Sequence, residues 1–299
     1  MNDLFSPLLH KFILIFFYDS LVYSSNWLQH LEHLTAALQI LQGNQFFANQ
    51  SKCHFSQHRV EYLGHVISSA GASMDPNKIQ VVLDWPIPQN VNGVRSFLGL
   101  TGYYRCFIKS YGAITQPLTT LTKTNGFAWT AAAQAAFTSL KHLTQAPVLR
   151  LPDFTQPFEL ECDASGCGIG AILMQHHQPI AYFSKALSLR NLAKSTYEKE
   201  IVALVLVIQH WRPYLLGRSF VVYSDHRSLQ FLLHQRVDTT DQQSRIAKLL
   251  DYHFEIKYKS GKENFAADAL SRRDEQPSFK PPSLCPILVG RPQPPPEHC

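Results

Sequence analysis

The sequence predicts a mixed α/β fold built on a five-stranded sheet, and three observations carry that expectation. Apolar and acidic side chains alternate from Phe158 to Asp163, the two-residue period of a half-buried strand. Tyr197, Ile201, Leu204, Ile208 and Trp211 recur at three- and four-residue spacing, the stripe of an amphipathic helix. Segments of both kinds follow one another as three strands, a helix, a strand, helices, a strand and a closing helix, an order that builds a mixed sheet.

Taken in chain order, the first 24 residues are apolar, and Phe12 to Tyr18 is too short to span a bilayer. A short helix and then a strand pair around Phe17 to Leu21 are expected there. Trp27 to Gln42 carries Leu28, Leu31, Leu34, Leu38 and Leu41 at helical spacing, most simply a stripe facing a core. Cys53 to Phe55 and Val60 to Ser68 read as a β-hairpin, and Cys53, His54, His58 and His65 fit no standard zinc spacing. Asp75-Pro76 opens a helix that Pro86 stops, and a second helix is expected from Val91 to about Leu100. Gly102 to Lys109 interleaves aromatic residues with Arg105 and Lys109. Two readings stand: Arg95, Arg105 and Lys109 contact phosphates, or the aromatics form a helix-packing core beneath solvated cations.

Beyond the strand at Phe158 to Asp163, Gly168 to Met174 follows a Gly-rich turn and completes a hairpin, and Pro179 to Ser184 adds a third strand. Ser195 or Thr196 caps the helix that runs to Trp211, with Glu198 as a solvated acid in its first turn. Glu200 flanks the apolar stripe, where an unpaired carboxylate costs several kcal/mol, so a cation is expected beside it. Phe220 to His226 is a strand ending in Asp225, Ser228 to His234 and Asp241 to Tyr252 are helices, and Phe254 to Tyr258 is a fifth strand. The closing helix, Asn264 to Arg272, carries Asp268 near its positive N-terminal end.

Asp163, Glu200, Asp225 and Asp268 thus stand at two strand ends, a helix flank and a helix start, positions that can converge at one end of a sheet. Crowded carboxylates repel unless hard cations bridge them, and two Mg²⁺ about 3.5–4 Å apart are the usual bridge in phosphodiester hydrolysis. Taken singly, each acid is more simply a cap or a solvated edge. The 299 residues, 45% hydrophobic and 16% charged, suit two or three domains, and a net charge of +5 favours polyanionic partners. Six scattered cysteines form no paired framework, which suits reduced thiols inside a cell, cytoplasmic or nuclear, and no secretory signal is evident. After Arg273 eight prolines crowd the tail, expected to be extended or disordered.

Four blocks carry a family resemblance: Cys162-Asp163-Ala-Ser, Tyr197-Glu-Lys-Glu200, Ser224-Asp225-His226 and Asn264 to Arg272. In order and spacing they resemble the active-site blocks of the ribonuclease H domain in gypsy-type LTR retrotransposon polyproteins. The resemblance implies a ribonuclease H-like mixed five-stranded sheet over residues 158–273. It also implies two-metal hydrolysis of RNA in RNA–DNA hybrids, with Asp163, Glu200, Asp225 and Asp268 as ligands of Mg²⁺ or Mn²⁺. Hybrid and duplex nucleic acid are the implied partners, with neither a membrane nor a small-molecule cofactor. Cellular members of the fold carry a loop histidine before the last acid, where this chain has Lys262 and Asn264. Lysine holds a phosphate but is a poor acid or base near neutrality. His226 is an alternative proton carrier, or more simply a polar residue at the cleft edge.

The same resemblance extends upstream: a truncated reverse transcriptase palm at 1–72, a thumb-like helical region at 73–145 and a linker at 146–157. Cys53 to Ser68 is similar to the family's primer-gripping element. Two adjacent metal-binding aspartates mark the family's polymerase hairpin; Tyr18 stands at the first and Asp19 at the second. Tyrosine does not replace a carboxylate on a hard cation at neutral pH, so polymerase activity is expected to be lost. Gly93 and the Ala131 to Ala136 run stand where the family has charged helix formers, which reads as drift. The rival expectation is a noncatalytic nucleic-acid-binding relic; a third, polymerase activity rescued by another subunit, is the weakest.

Overall fold

The computed structural model describes residues 1, 3–9, 11–123, 127–142, 148–164, 168–232 and 240–260. The expected closing helix with Asp268, the loop residues Lys262 and Asn264, and the proline-rich tail lie outside the described residues.

Near the N-terminus, β1 (Ile13–Phe16) and β2 (Asp19–Val22) form an antiparallel pair with Phe16 opposite Asp19. Phe17 and Tyr18 make the turn, Phe17 at φ 53°. Asn26 caps α1 (Trp27–Gly43) by accepting the Gln29 N–H. The leucine stripe of this helix does not face a core: Leu28, Leu31 and Leu38 are exposed, and Ala37 is its buried residue. Phe5, Ile13 and Ala37 make a small cluster with Phe12, Ile40 and Leu41 around it. Two short strands offer too little surface to cover one whole face of a four-turn helix.

β3 (Arg59–Tyr62), β4 (His65–Ser68) and β5 (Gly71–Met74) form an antiparallel meander. The expected hairpin supplies β3 and β4; Cys53 to Phe55 lies outside the sheet, and β5 replaces it as the third strand. The β3–β4 turn is pinned by two phenols: Tyr103 Oη donates to the Leu63 carbonyl and Tyr104 Oη to that of Gly64 at 2.7 Å.

Five helices follow: α2 (Pro76–Leu83), α3 (Val91–Tyr103), α4 (Tyr111–Ile114), α5 (Gln116–Leu121) and α6 (Ala131–His142). Asp75 and Asn90 cap the first two through the N–H groups of Asn77 and Gly93. Val94, Phe97, Leu118, Phe137 and Leu140 fill their shared core together with Ala133 and Ala136. Two positions of the alanine run therefore have a packing reason: Ala133 and Ala136 sit at the helix contact, while Ala131, Ala132 and Ala135 are exposed. Gly93 has one too, since a Cβ there would lie 3.3 Å from Pro88 Cβ.

The five-stranded sheet has the order β10-β9-β6-β7-β8. β6 (Phe158–Ala164), β7 (Gly168–Gln175) and β8 (Gln178–Ala186) are antiparallel. α7 (Leu189–Leu192), α8 (Thr196–His210) and α9 (Arg212–Leu215) lead to β9 (Ser219–Ser224), which pairs parallel to β6. A 3-10 turn at Arg227–Phe231 and α10 (Thr240–Ala247) precede β10 (His253–Tyr258), parallel to β9. The helices expected at Ser228 to His234 and Asp241 to Tyr252 are thus shorter in the described residues. β6 is not half-buried as its alternation suggested; Glu161 and Asp163 are 4% and 5% exposed. The strand is central, so both of its faces are covered. α8 lays Ile201, Leu204, Val205 and Ile208 against Phe158, Leu160 and Cys162 in the largest core of the molecule.

The two sheets are joined by the connecting chain. Leu149 exchanges two backbone hydrogen bonds with Ala72 beside β5, at 2.8 and 2.9 Å, and the Arg150 N–H donates to the Pro179 carbonyl of β8 at 2.9 Å. β8 is an edge strand, and the helical region covers it. The Tyr182 N–H donates to the Cys106 carbonyl at 2.9 Å, and the Gly112 N–H to Ser184 Oγ at 2.6 Å. A Cβ on Gly112 would lie 2.8 Å from the Ser184 carbonyl oxygen. Gly112→Ala is therefore expected to destabilise the fold by about 1–3 kcal/mol, the range for forced overpacking. Thermal unfolding checks this, and an unchanged melting temperature refutes the contact.

Candidate metal centre

Three carboxylates meet at one end of the five-stranded sheet: ligand oxygens of Asp163, Glu200 and Asp225 all lie within 4.8 Å of one another. Strand register explains two of them. Glu161 pairs with Tyr223, so two residues on, Asp163 and Asp225 stand level across one inter-strand spacing of about 4.8 Å. On the other side Asp163 pairs with Gly170, which adds no side chain beside it.

Glu200 comes from α8. Ser195 and Glu198 form a reciprocal capping box at its start, and Lys194 lies 3.7 Å from Glu198. Glu198 is thus a capping residue with an ion-pair partner rather than a merely solvated acid. Half a turn later Glu200 is 2% exposed. Its Oε1 accepts the Ala164 N–H at 3.0 Å, while Oε2 is buried without a hydrogen-bond partner. The expected cation is not a side chain: among the described residues no lysine or arginine pairs with Glu200. Burial, then the Asp163 charge, push the Glu200 carboxyl up to about 8; the Ala164 N–H pulls the other way and Asp225 adds to the rise. A half-satisfied buried carboxylate among like charges is what a hard divalent ion relieves, so the donor set fits Mg²⁺ or Mn²⁺.

Behind the acids, Cys162 is fully buried, and burial followed by the charge of Glu200 pushes its thiol well up, which leaves it inert as a nucleophile. His226, beside Asp225, donates its backbone N–H to Ser224 Oγ at 3.2 Å and turns its ring toward Tyr197 at 5.5 Å. Its Nδ1 is buried without a partner.

The remaining candidates lie elsewhere. Tyr18 and Asp19 stand on the exposed tip of the β1–β2 hairpin, Tyr18 85% exposed. Arg95, Arg105 and Lys109 are exposed on the helical region, Arg95 donating to the Thr122 carbonyl at 3.4 Å. Tyr104 and Phe107 between them are buried, so the aromatic core and the outward cations coexist. The sequence reading missed Lys259, whose ammonium pairs with Glu161; a lysine directly after a strand and an acid on the central strand were the available signal.

Residues 129–222 match the RNase H-like domain found in reverse transcriptase. Over 275 residues the chain is 36% identical to the retrovirus-related Pol polyprotein from transposon 297 of Drosophila melanogaster, covering 91% of this chain and 26% of that protein. It is similar to the gypsy-type retrotransposon Pol polyproteins over about nine-tenths of its own length. The Drosophila gypsy Pol polyprotein is 34% identical over 290 residues, 92% of this chain and 28% of the relative. The Tf2-3 transposon polyprotein of Schizosaccharomyces pombe is 33% identical over 285 residues, 91% of the chain and 21% of the relative. The chain therefore spans about a quarter of the length of these relatives. Its fold is that of foamy viral protease-reverse transcriptase. The structure of that protein with double-stranded DNA gives a TM-score of 0.76 at 20% identity, over 86% of this chain and 47% of the other. Its RNA/DNA hybrid complex gives 0.75 at 20%, over 99% and 39%. Among the described residues no helix is long and apolar enough to cross a membrane.

The Glu200 carboxyl makes ion binding pH-dependent. Its folded value lies above the ordinary 4.5, so without an ion its contribution to stability is complete below that pH and is lost as pH rises through about 8. A bound divalent ion offsets the loss. Mg²⁺ is thus expected to raise the melting temperature more near about pH 8.5 than near about pH 6, and Glu200→Gln to abolish the difference. A pH-independent Mg²⁺ shift in the unsubstituted protein contradicts this.

Proposed function

We propose that this chain cleaves the RNA strand of RNA–DNA hybrids with divalent metal ions, and that its capacity for DNA synthesis is lost. The observation that carries the reading is the buried, unpartnered Oε2 of Glu200 among the carboxylates of Asp163 and Asp225. Asp163, Glu200 and Asp225 hold the ions, with Asp268 completing the set by its place in the sequence pattern. Mg²⁺ held by these residues would supply an activated water and charge stabilisation for the leaving oxygen of the phosphodiester.

The chain's own residues position and exclude. Parallel β6 and β9 hold Asp163 and Asp225 level, and the Ala164 N–H fixes one oxygen of Glu200. Gly170 puts no side chain beside Asp163 on the neighbouring strand. Arg95, Arg105 and Lys109, exposed on the helical region, bind duplex phosphates, and Lys262 and Asn264 bind the backbone near the cut. In this reading residues 1–72 are palm-like, 73–145 a thumb, 146–157 a linker and 158–273 the ribonuclease H-like unit. The foamy viral reverse transcriptase solved with an RNA/DNA hybrid supports the substrate class. Loss of polymerase activity follows from Tyr18, which brings a neutral phenol to the hairpin tip where a second carboxylate is needed.

A labelled RNA–DNA hybrid with Mg²⁺ tests both parts. The protein is expected to cut the RNA strand, and Asp163→Asn or Asp225→Asn to slow cutting by more than the roughly 100-fold that outer-shell changes cost at metal sites. Extension of a primed template is expected to stay at the level of Asp19→Asn. Uncut hybrid that is still retained in a gel shift identifies a noncatalytic nucleic-acid-binding relic instead.

A further inference from the structure

Glu159, Glu161 and Asp163 share one face of β6, by the two-residue alternation of a strand. Glu159 meets His177 at 3.3 Å near the far end. Glu161 is buried, and its carboxylate pairs with Lys259 Nζ. Lys259 directly follows β10, and its N–H donates to the Ser224 carbonyl at 2.9 Å, carrying the β10–β9 ladder one step further. To reach Glu161 its side chain crosses β9 over the Tyr223 ring, 5.6 Å from the centroid, and Tyr223 is the residue level with Glu161. One lysine therefore spans three strands at the end from which Asp163 and Asp225 leave the sheet.

Stability alone does not account for the pair. An apolar residue at 161 would fill a central strand at no desolvation cost, and buried ion pairs are often no more stabilising than such a replacement. Position accounts for it better. Glu161 stands two strand steps, about 7 Å, before Asp163 on the same face. Released from its partner, it becomes a surplus carboxylate facing the cluster. We propose that Lys259 is a positioning residue, acting through Glu161: it holds that acid out of the ions' coordination shell and so keeps Asp163, Glu200 and Asp225 as the ligand set. This rests on the metal-centre reading above.

Mn²⁺ binding by calorimetry on the full chain is the primary readout, with hybrid cleavage beside it. Lys259→Met is expected to bind Mn²⁺ about tenfold more tightly, because carboxylate sites gain affinity with added ligand charge. The same variant is expected to cut hybrid at least about tenfold more slowly, because the ion is displaced. Glu161→Gln/Lys259→Met is expected to restore both within about twofold, as coupled neighbours do. If the methionine variant does not fold, Lys259→Gln keeps a donor for Glu161 without the charge and is expected to tighten Mn²⁺ at least about threefold. Unchanged affinity in the single variants overturns the proposal, as does a double variant that keeps their defects. Wild-type protein that binds Mn²⁺ without cutting hybrid removes the hydrolase reading and leaves the affinity comparison to judge Lys259. Wild-type protein that binds no Mn²⁺ overturns both.

Discussion

Everything in this molecule that bears on chemistry depends on mutual repulsion among acids held where water cannot screen them. Asp163 and Asp225 are brought level by parallel strand pairing, and Glu200 is driven against them by the apolar packing of α8. Neither acts through the carboxylate charges: ladder hydrogen bonds and the burial of Ile201, Leu204 and Ile208 impose an arrangement that the charges resist. The Glu200 carboxyl is raised first by burial and then by the charge of Asp163. Strain of this kind is maintained by the whole sheet, which explains why the site end of β6 is so well supported. Ala164 grips one Glu200 oxygen and Lys259 closes over Glu161.

Much of this was legible in the sequence, because period and capping are local signals. The alternation at Phe158 to Asp163, the 3.6-residue stripe of α8 and the Ser195 cap each appear where expected. What escaped depends on neighbours that no local pattern names. The exposure of Leu28, Leu31 and Leu38 shows that a helical stripe states what a helix can bury, not what it does bury. Burial of Glu161 follows from β6 being central, a fact of strand order that alternation alone misreports. The short strand β5 lacked a signal because Gly71 to Met74 is too brief for a period to register. The convergence of Asp163, Glu200 and Asp225 was inferred from positions at element ends, whereas the absence of a side-chain cation beside Glu200 among the described residues needed coordinates.

The helical region illustrates how small residues do structural work. Ala133 and Ala136 sit flush between packed helices, and Gly93 clears Pro88. At the turn of the meander, Leu63 and Gly64 take left-handed conformations, and the two phenols from the end of α3 receive no slack there. His65 beneath them is ringed by Tyr103, Tyr104 and Phe107 at 5.2 to 5.6 Å, and burial pulls its imidazole below the ordinary range. A neutral histidine in an aromatic box is packing material first.

Leu149 and Arg150 stitch β5 to β8 through backbone bonds on consecutive residues. In mechanical terms the connector is a tie rod rather than a hinge. A pull exerted on the meander travels through amide groups that have no rotamers in which to dissipate it, and it arrives at the strand bordering β7, one ladder away from β6. A displacement of the meander is therefore passed to the five-stranded sheet through main-chain bonds rather than through side chains.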